Sequence, residues 1–350
     1  MPPQSPTSSP EQSPTKQSVL SRRRLLQLGA GAALLGAGFY FGIIPWRQTR
    51  TIKLSRPLMG TIVNVIVVTD HEDNAHTAID TAFVKMGALA DELSTYDENS
   101  PISMLNREGI LRNAPQSLLD VFTRSRRLSE LTDGAFDPTV MPLLHLYQSY
   151  RETATLPPQS MIDKALELVD YRKIVVENQT TIRYTLPGMQ VTLDGLAKGY
   201  IVDAGVGAME AAGLTDFYLE AGGDLMVRGH RQDGTDWRIG IRNPRSDNLT
   251  QMKSIGLSDK AIATSGDYLR YFSDDKTVHH IIDPRSGFSP IELASSSIVA
   301  PSVVQADGMA TATMVMGAAK SLELIGSLPD CEGYFIDKSM NTHHTEGFFT

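Results

Sequence analysis

Residues 277–287 place a histidine pair at the predicted end of a buried strand. β-Branched residues flank His279 and His280, and Asp-Pro followed by Ser-Gly then favours a rigid turn. A junction of this kind can hold a polar side chain still at the mouth of a pocket. Histidine is the side chain best suited to move a proton near neutral pH. His280 is therefore a candidate general base, and a half-buried structural histidine is the alternative.

Asp307 and Thr311 lie four residues apart in a segment that is predicted to be helical. This spacing puts the carboxylate and the hydroxyl on one face of the helix, a turn apart. Both are hard oxygen donors of the kind that Mg²⁺ prefers, so the pair is a candidate magnesium site. The alternative is an aspartate favoured by the helix dipole and a threonine that bonds back to the backbone.

Lys198 stands between Gly195 and Gly199 at a predicted strand-to-helix transition. A ligand can approach the backbone closely at glycine, and a lysine at a helix start can meet a phosphate. An ordinary exposed lysine fits the same pattern.

Three further turns are rich in Gly and Asp. Together with the turn regions around His280 and Lys198, they would supply a pocket built from loops. They cover residues 132–140, 220–224 and 263–268.

The elements that must position these residues follow from hydrophobic periodicity. Helical patterns are concentrated early in the chain and short strand-like runs later, which favours an α+β fold over alternating βαβ units. The chain has no G-x-G-x-x-G run that opens a helix, no P-loop and no G-x-S-x-G elbow, so the common nucleotide-binding and hydrolase templates are not supported. The predicted helices cover 75–93, 116–131, 160–170, 196–212 and 303–327, and the predicted strands cover 61–68, 174–177, 181–185, 190–193, 217–219, 225–228, 237–241, 278–282 and 297–300.

The first 46 residues have a different character from the rest of the chain. Residues 1–20 are rich in Pro and Ser without periodicity, and we expect them to be disordered. Residues 21–46 join Ser-Arg-Arg-Arg to an apolar run at 25–44 and resemble a twin-arginine export signal. A membrane anchor is the alternative, because about 20 apolar residues can span a bilayer. Both interpretations place residues 47–350 outside the cytoplasm, in the periplasm or anchored to the inner membrane.

Residues 47–350 form the predicted functional domain, and their charge narrows its partners. The whole chain has a formal net charge of −8, and residues 47–350 hold 28 Lys and Arg against 39 Asp and Glu. A domain this acidic is poorly suited to bind nucleic acid. Cys331 is the only cysteine of the chain, which excludes an intrachain disulfide and a thiolate metal cluster.

Taken in order, the motifs resemble those of the ApbE family, the FAD:protein FMN transferases. The resemblance extends from about residue 55 to residue 340, and the ordered set is far more specific than any single run. In place of the Asp and Asn that are common in the family, this chain has Thr192 and Glu220. The matching runs are Met59–Thr61, Leu93–Tyr96, Ile102–Asn106, Thr132–Val140, Asp194–Asp203, Ala221–Asp224, Ala263–Tyr268, His280–Gly287 and Ala306–Thr311.

The resemblance implies a two-lobed α+β fold with mixed or antiparallel sheets and a flavin pocket between the lobes. It also implies a Mg²⁺-dependent transfer of FMN from FAD to a Thr or Ser hydroxyl of a target protein, through a phosphoester and with release of AMP. His280 and Lys198 would then be catalytic, and Mg²⁺ would lie on Gly195, Asp307 and Thr311. The implied FAD contacts are Met59, Tyr96, Ala135, Phe136, Asp137, Asp194, Lys198 and Ile281.

Two other functions remain open at this point. The same site could hydrolyse FAD to FMN and AMP, with water in place of the hydroxyl, or the protein could be a non-catalytic exported flavin-binding scaffold. Binding alone requires neither a metal nor a base, which argues against the scaffold. The Thr-Leu-Asp-Gly pattern at 192–195, together with the export signal, resembles the NosX-like branch. That resemblance implies an acceptor in a respiratory or electron-transfer complex.

Overall fold

The computed structural model describes residues 49–151, 155–245, 251–273 and 275–350. Thr49–Thr350 forms one compact unit. The predicted disorder of residues 1–20 and the signal or anchor at residues 21–46 lie outside the described residues. None of the described helices has the length and apolar character needed to cross a bilayer.

Antiparallel sheets form the centre of the fold. The strands are β1 (Arg50–Leu58), β2 (Thr61–Thr69), β3 (Ile110–Leu111), β4 (Ile174–Glu177), β5 (Thr181–Tyr184), β6 (Phe217–Ala221), β7 (Asp224–Arg228), β8 (Trp237–Arg242), β9 (Gln251–Leu257), β10 (Ala261–Gly266), β11 (Leu293–Ala300), β12 (Glu332–Asp337) and β13 (Thr342–His344). The main sheet has eight strands in the order β1-β2-β6-β7-β10-β11-β12-β13, and each neighbouring pair is antiparallel. β3, β5 and β4 form a second small sheet, and β8 and β9 form a hairpin.

Helices cover one face of the main sheet. The helices of the described residues are α1 (Glu72–Leu93), α2 (Pro101–Glu108), α3 (Gln116–Leu131), α4 (Met141–Tyr150), α5 (Gln159–Leu166), α6 (Ala197–Ala211), α7 (Val303–Met316) and α8 (Ala318–Ser327), with short 3₁₀ helices at Pro138–Val140, Tyr171–Lys173 and Glu346–Phe349. α1 packs on α6, α6 on α7, and α7 on β10 and β11. Apolar side chains of these helices and the sheet form the largest core, which includes Met86, Val206 and Ala310. The core therefore fixes α6 and α7 side by side.

The other face of the sheet carries a second core. β2 shows the alternation that a strand between two layers requires: Val63, Val65 and Val67 join the helical core, while Ile66 and Val68 pack against the second one. Trp237 and Ile255 of the β8–β9 hairpin close that second core. Because β11 is buried along its whole length, the site-bearing helix α7 rests on a rigid support.

A smaller cluster supports the turn that follows His280. Leu143 and Tyr147 of α4 and Ile162 of α5 pack with Ile282. The Tyr147 hydroxyl donates to the Gly287 carbonyl at 2.9 Å. Gly287 has φ +79°, and a Cβ there would lie 2.6 Å from Ile162. Only glycine fits this conformation and this space, so the Asp-Pro-Arg-Ser-Gly turn is fixed on the two helices.

The α+β prediction is confirmed, but several predicted elements are wrong. Residues 190–193 and 278–282 are irregular, apart from an isolated bridge between His279 and Tyr271. At His279 a side chain replaces a neighbouring strand, since Ser289 Oγ accepts from its N–H and donates to its carbonyl. The predicted helix 303–327 is divided at Gly317, which has φ +77°, and the predicted helix 160–170 ends at Leu166. The sequence analysis also missed β1, β3, β9, β10, β12 and β13, and the helices α2 and α4.

Candidate active site

α7 presents Asp307 and Thr311 a turn apart, as their spacing predicted. Asp307 is buried, and it lies in the helix interior instead of the N-terminal turn. Its Oδ2 accepts the Gly199 N–H at 3.0 Å, which connects it to the first turn of α6. A Cβ at Gly199 would come within 2.6 Å of the Val303 carbonyl oxygen. The glycine therefore permits the close approach that lets α6 donate to the buried carboxylate.

Gly195 lies against Thr311 and Phe136. A Cβ at Gly195 would be 3.1 Å from Thr311 Oγ1 and 3.2 Å from the Phe136 ring. Ser265 Oγ, at the end of β10, lies 3.3 Å from Thr311 Oγ1. The structure thus brings together two of the three predicted magnesium ligands, one predicted flavin contact and a serine that the sequence analysis left without a role.

Lys198 has a buried carboxylate as its partner. Its Nζ lies 2.6 Å from Asp224 Oδ2, at the start of β7. Burial raises the pKa of Asp224 well above its usual range, and the nearby Asp307 carboxylate raises it further. Burial also raises the pKa of Asp307, against the opposing effect of Lys198. Burial alone would lower the pKa of Lys198, but Asp224 and Asp307 outweigh it and raise that pKa. The lysine therefore remains charged between two buried acids.

These groups suit a hard cation. Among the described residues no group of three His, Cys, Asp or Glu side chains could hold a metal ion, so a site here would combine one carboxylate with uncharged oxygens. Asp307, the Thr311 hydroxyl and the Gly195 carbonyl are such a set of hard donors, and Mg²⁺ usually completes its octahedron with water and phosphate oxygens. The two buried acids share Lys198, and a bound cation would favour the ionised form of Asp307.

His280 is held through one ring nitrogen. Its Nδ1 lies 2.9 Å from the Arg270 carbonyl oxygen, and its backbone N–H donates to the same oxygen at 3.0 Å. A carbonyl can only accept, so Nδ1 carries the proton and Nε2 of the neutral ring is free to accept one. Burial lowers the pKa of His280. The ring is thus neutral at neutral pH, as a general base must be.

His279 is enclosed in the protein, and its unpaired ring nitrogen Nδ1 is buried. Its side chain is fully buried, and its Nε2 lies 3.2 Å from the Pro290 carbonyl oxygen. Burial lowers the pKa of His279 to about 4. The geometry therefore favours His280 over His279 as the base.

Asp194 and Tyr96 meet beside His280. The Tyr96 hydroxyl lies 3.4 Å from Asp194 Oδ2, and Nη1 of Arg270 lies 3.1 Å from that hydroxyl and 3.3 Å from Asp194 Oδ2. Tyr96 is 75% exposed, which leaves its ring open to a planar ligand. Asp194 directly precedes Gly195, so the group around His280 is continuous in sequence with the candidate metal ligands.

The remaining predicted flavin contacts differ in what they can offer. Met59 lies in the β1–β2 turn with φ 53° and packs against the helical core, while Ala135, Phe136 and Ile281 are buried. Both oxygens of Asp137 are taken by protein donors: Oδ1 accepts from Thr139, and Oδ2 accepts from the Tyr171 N–H. The Asp137 side chain therefore caps the 3₁₀ helix, and a ligand would meet this residue through its backbone.

The two positions that depart from the family pattern are both engaged locally. Thr192 Oγ1 accepts the Asp194 N–H at 3.2 Å. Glu220 accepts from the Asn64 amide and from the Gly223 N–H, both at 2.6 Å. Thr192 thus supports the Asp194 loop, and Glu220 stabilises the turn that leads to Asp224.

Comparison of the sequence with known protein families agrees with this geometry. The family model described as "ApbE family" matches residues 59–335. The chain belongs to the ApbE family. The FAD:protein FMN transferase of Vibrio cholerae is 32% identical over 287 residues, which cover 79% of this chain and 84% of that protein. The enzyme of the same name from Escherichia coli K12 is 32% identical over 243 residues, or 67% of this chain and 69% of that protein.

Solved ApbE structures share the fold. The ApbE protein of Thermotoga maritima has a TM-score of 0.77 at 28% identity and covers 85% of this chain and 98% of that one. The flavin transferase ApbE of Vibrio cholerae has a TM-score of 0.72 at 27% identity and covers 86% of this chain and 98% of that one. The predicted family and fold class are therefore confirmed.

Sequence reasoning missed three residues of this ApbE site. Asp224 pairs with Lys198, Ser265 lies beside Thr311, and Arg270 holds His280. Asp224 and Ser265 belong to turns that the sequence had marked as possible pocket loops, so a signal was present without a role attached. Nothing in the local pattern around Arg270 indicated its contact with His280.

Proposed function

We propose that this protein transfers FMN from FAD to a Thr or Ser hydroxyl of a second protein and releases AMP. The names of its relatives support the reaction type. The observation that carries the proposal is the His280 ring, whose free Nε2 lies in a group joined through Asp194 to Gly195, Thr311 and Asp307. Phosphoryl transfer is promoted by a cation that neutralises the phosphates and by a residue that orients or deprotonates the attacking hydroxyl.

In this proposal Asp307, Thr311 and the Gly195 carbonyl hold Mg²⁺. When bound there, the ion would neutralise the pyrophosphate and stabilise the charge that develops on the departing AMP. The positive charge of Lys198 stabilises the buried carboxylates of Asp224 and Asp307, because its ammonium lies within ion-pair distance of Asp224. Its remaining capacity as a donor is available to a phosphate oxygen.

His280 accepts the proton of the acceptor hydroxyl at Nε2. The hydroxyl oxygen then forms a bond to the phosphorus of the FMN half, and the bond between that phosphorus and the bridging pyrophosphate oxygen breaks. The bonding electron pair leaves with AMP. Water entering in place of the hydroxyl would give FMN and AMP, so exclusion of water decides between transfer and hydrolysis.

The flavin would lie against Tyr96, Met59 and the turn at 135–137. The exposed Tyr96 ring offers a stacking surface, while Asp194 and the Asp137 backbone offer polar contacts. The acceptor would approach from the exposed side of His280. We further propose that the acceptor is a periplasmic flavoprotein of a respiratory or electron-transfer complex, because residues 21–46 resemble an export signal or anchor.

The proposal is tested with the full chain, FAD, Mg²⁺ and a recombinant flavoprotein domain, followed by intact mass. A mass increase equal to one FMN phosphoester on the acceptor, with AMP in equal amount, is the expected result. Loss of FAD without an adduct would favour hydrolysis. Tight FAD binding without AMP would favour a scaffold.

A further inference from the structure

Arg270 links segments that are distant in sequence. It follows β10 in the chain, and its side chain is 63% exposed. Nη1 nevertheless lies 3.1 Å from the Tyr96 hydroxyl and 3.3 Å from Asp194 Oδ2. The Tyr96 and Asp194 side chains raise the pKa of Arg270 against the opposing effect of its partial burial. The side chain of an exposed arginine usually samples several rotamers. Contacts with Tyr96 and Asp194, which lie in separate segments, therefore restrict the conformation of Arg270.

The backbone of the same residue holds the imidazole. The Arg270 carbonyl oxygen accepts the N–H of His280 at 3.0 Å and the Nδ1–H of its ring at 2.9 Å. This carbonyl therefore fixes both the orientation of the ring and the position of its proton. If the carbonyl turned away, Nδ1 would lose its partner and either nitrogen could carry the proton.

Little regular structure fixes that carbonyl. Arg270 and His280 lie at one end of a short antiparallel pairing that continues through the Tyr271–His279 bridge and the Phe272 N–H to Val278 carbonyl bond at 2.7 Å. Among the described residues this pairing is not part of any sheet. The guanidinium contacts therefore add the restraint that a longer strand would have supplied.

We propose that Arg270 is a positioning residue for the proposed transfer reaction: its guanidinium, held by Tyr96 and Asp194, keeps its own carbonyl bonded to Nδ1 of His280 so that Nε2 stays free. The inference rests on His280 acting as the base, and it adds how the ring is oriented. It also connects the base to Tyr96 and Asp194, two of the proposed flavin contacts. The charged groups that face His280 are Arg270 and Asp194, and His279 is its titratable neighbour, with ring centroids 6.5 Å apart.

The direct test needs neither FAD nor metal. Long-range ¹H–¹⁵N spectra of the full chain report which imidazole nitrogen is protonated and how the ring titrates, and a His280→Gln variant assigns the signal. In the wild type we expect the Nδ1-protonated form of His280. In Arg270→Met we expect a mixture of both tautomers, because the ring loses the fixed carbonyl partner that holds the proton on Nδ1.

Arg126→Met is the matched control. Arg126 is an exposed arginine, 54% accessible, that pairs with one carboxylate, Glu130, on α3, and it has no part in the site. It should leave the His280 signal unchanged. If Arg270→Met does not fold, Arg270→Gln decides the question, since its shorter, neutral amide carries no charge to pair with Asp194. A His280 signal unchanged in the folded variant would overturn the proposal.

Kinetics separate this inference from the proposed function. With FAD, Mg²⁺ and the acceptor domain, Arg270→Met should lower kcat by about tenfold or more, with a smaller effect on KM for FAD. Arg270→Lys should recover part of kcat. A kcat in Arg270→Met equal to that of the wild type, or a loss confined to KM for FAD, would contradict the positioning role. Failure of transfer in the wild type, with the tautomer still dependent on Arg270, would refute the function and leave the positioning intact.

Discussion

At the scale of single residues, the site depends on where protons and charges reside. His280 has one ring nitrogen bound to a carbonyl and the other free, whereas Asp307 is buried beside a lysine that already has a carboxylate partner. The first arrangement suits proton transfer and the second suits a cation. The two roles can be tested separately, because different substitutions affect each.

Asp307→Asn should reduce turnover on the order of 100-fold or more, since the amide can still accept from Gly199 but carries no charge for a metal. The measurement is AMP release from FAD at increasing Mg²⁺. Excess Mg²⁺ should restore part of the rate, and thermal unfolding should show an intact fold. Full activity of this variant with the metal chelated would disprove the metal assignment.

The pH dependence of transfer should report His280. Burial lowers the pKa of this ring below the usual value of about 6.5, and the base is active only when neutral. The rate should therefore hold as the pH falls through 6.5 and decline below the lowered pKa. His280→Gln should lose most of the rate and this acid limb. A wild-type rate in His280→Gln would remove the base from the mechanism.

At the scale of elements, the site depends on the contact between α6 and α7. Asp203 of α6 accepts the N–H groups of Val303 and Val304, both at 2.9 Å, and so caps the start of α7. Gly199 lets the two backbones approach, and Asp307 accepts the Gly199 N–H. The helix that carries the proposed metal ligands is thus fixed by the helix that carries Lys198.

Gly199→Ala should destabilise the protein by about 1–3 kcal/mol, because the new Cβ would meet Val303 backbone instead of a movable side chain. Gly207→Ala is the control on the same helix. A Cβ there meets nothing within 4 Å, and alanine in a helix interior should stabilise by about 0.5–1 kcal/mol. Chemical denaturation of both variants measures the difference. Equal effects at the two positions would refute the close-approach argument.

At the scale of the whole molecule, burial of His279 should lower the free energy of unfolding at acidic pH. His279 is fully buried, and burial lowers its pKa to about 4. The unfolded chain takes up this proton near pH 6.5, so stability is fully present above that pH and is lost as the pH falls towards 4. The full shift corresponds to about 3 kcal/mol.

His279→Gln should reduce this loss. Glutamine can place a donor near the Pro290 carbonyl but does not titrate. Denaturation midpoints of the wild type and of His279→Gln at pH 7 and pH 4.5 test the effect. The difference between the two pH values should be smaller in the variant. An identical pH dependence would show that His279 does not control acid stability.

The sequence by itself determined the chemistry available and the family. Hard oxygen donors four residues apart, a histidine before an Asp-Pro turn and glycines around Lys198 are local patterns, and local spacing survives folding because a helix or turn sets it. The strand predicted over 61–68 and the first part of the helix predicted over 303–327 are present for the same reason. The predicted strand at 278–282 failed because Ser289, ten residues away, satisfies the His279 backbone.

Only the tertiary structure decided which partners the residues take. The Gly199–Asp307 bond spans 108 positions and the Arg270–Asp194 bond spans 76, and no periodicity in one segment specifies a donor in another. Burial, which sets the pKa of Asp224 and His280, also arises only when distant segments pack. The sequence supplied the candidate base and the candidate metal ligands, and the packing of α6, α7 and the Arg270 loop gave them their neighbours and shifted the pKa values of His280 and Asp307.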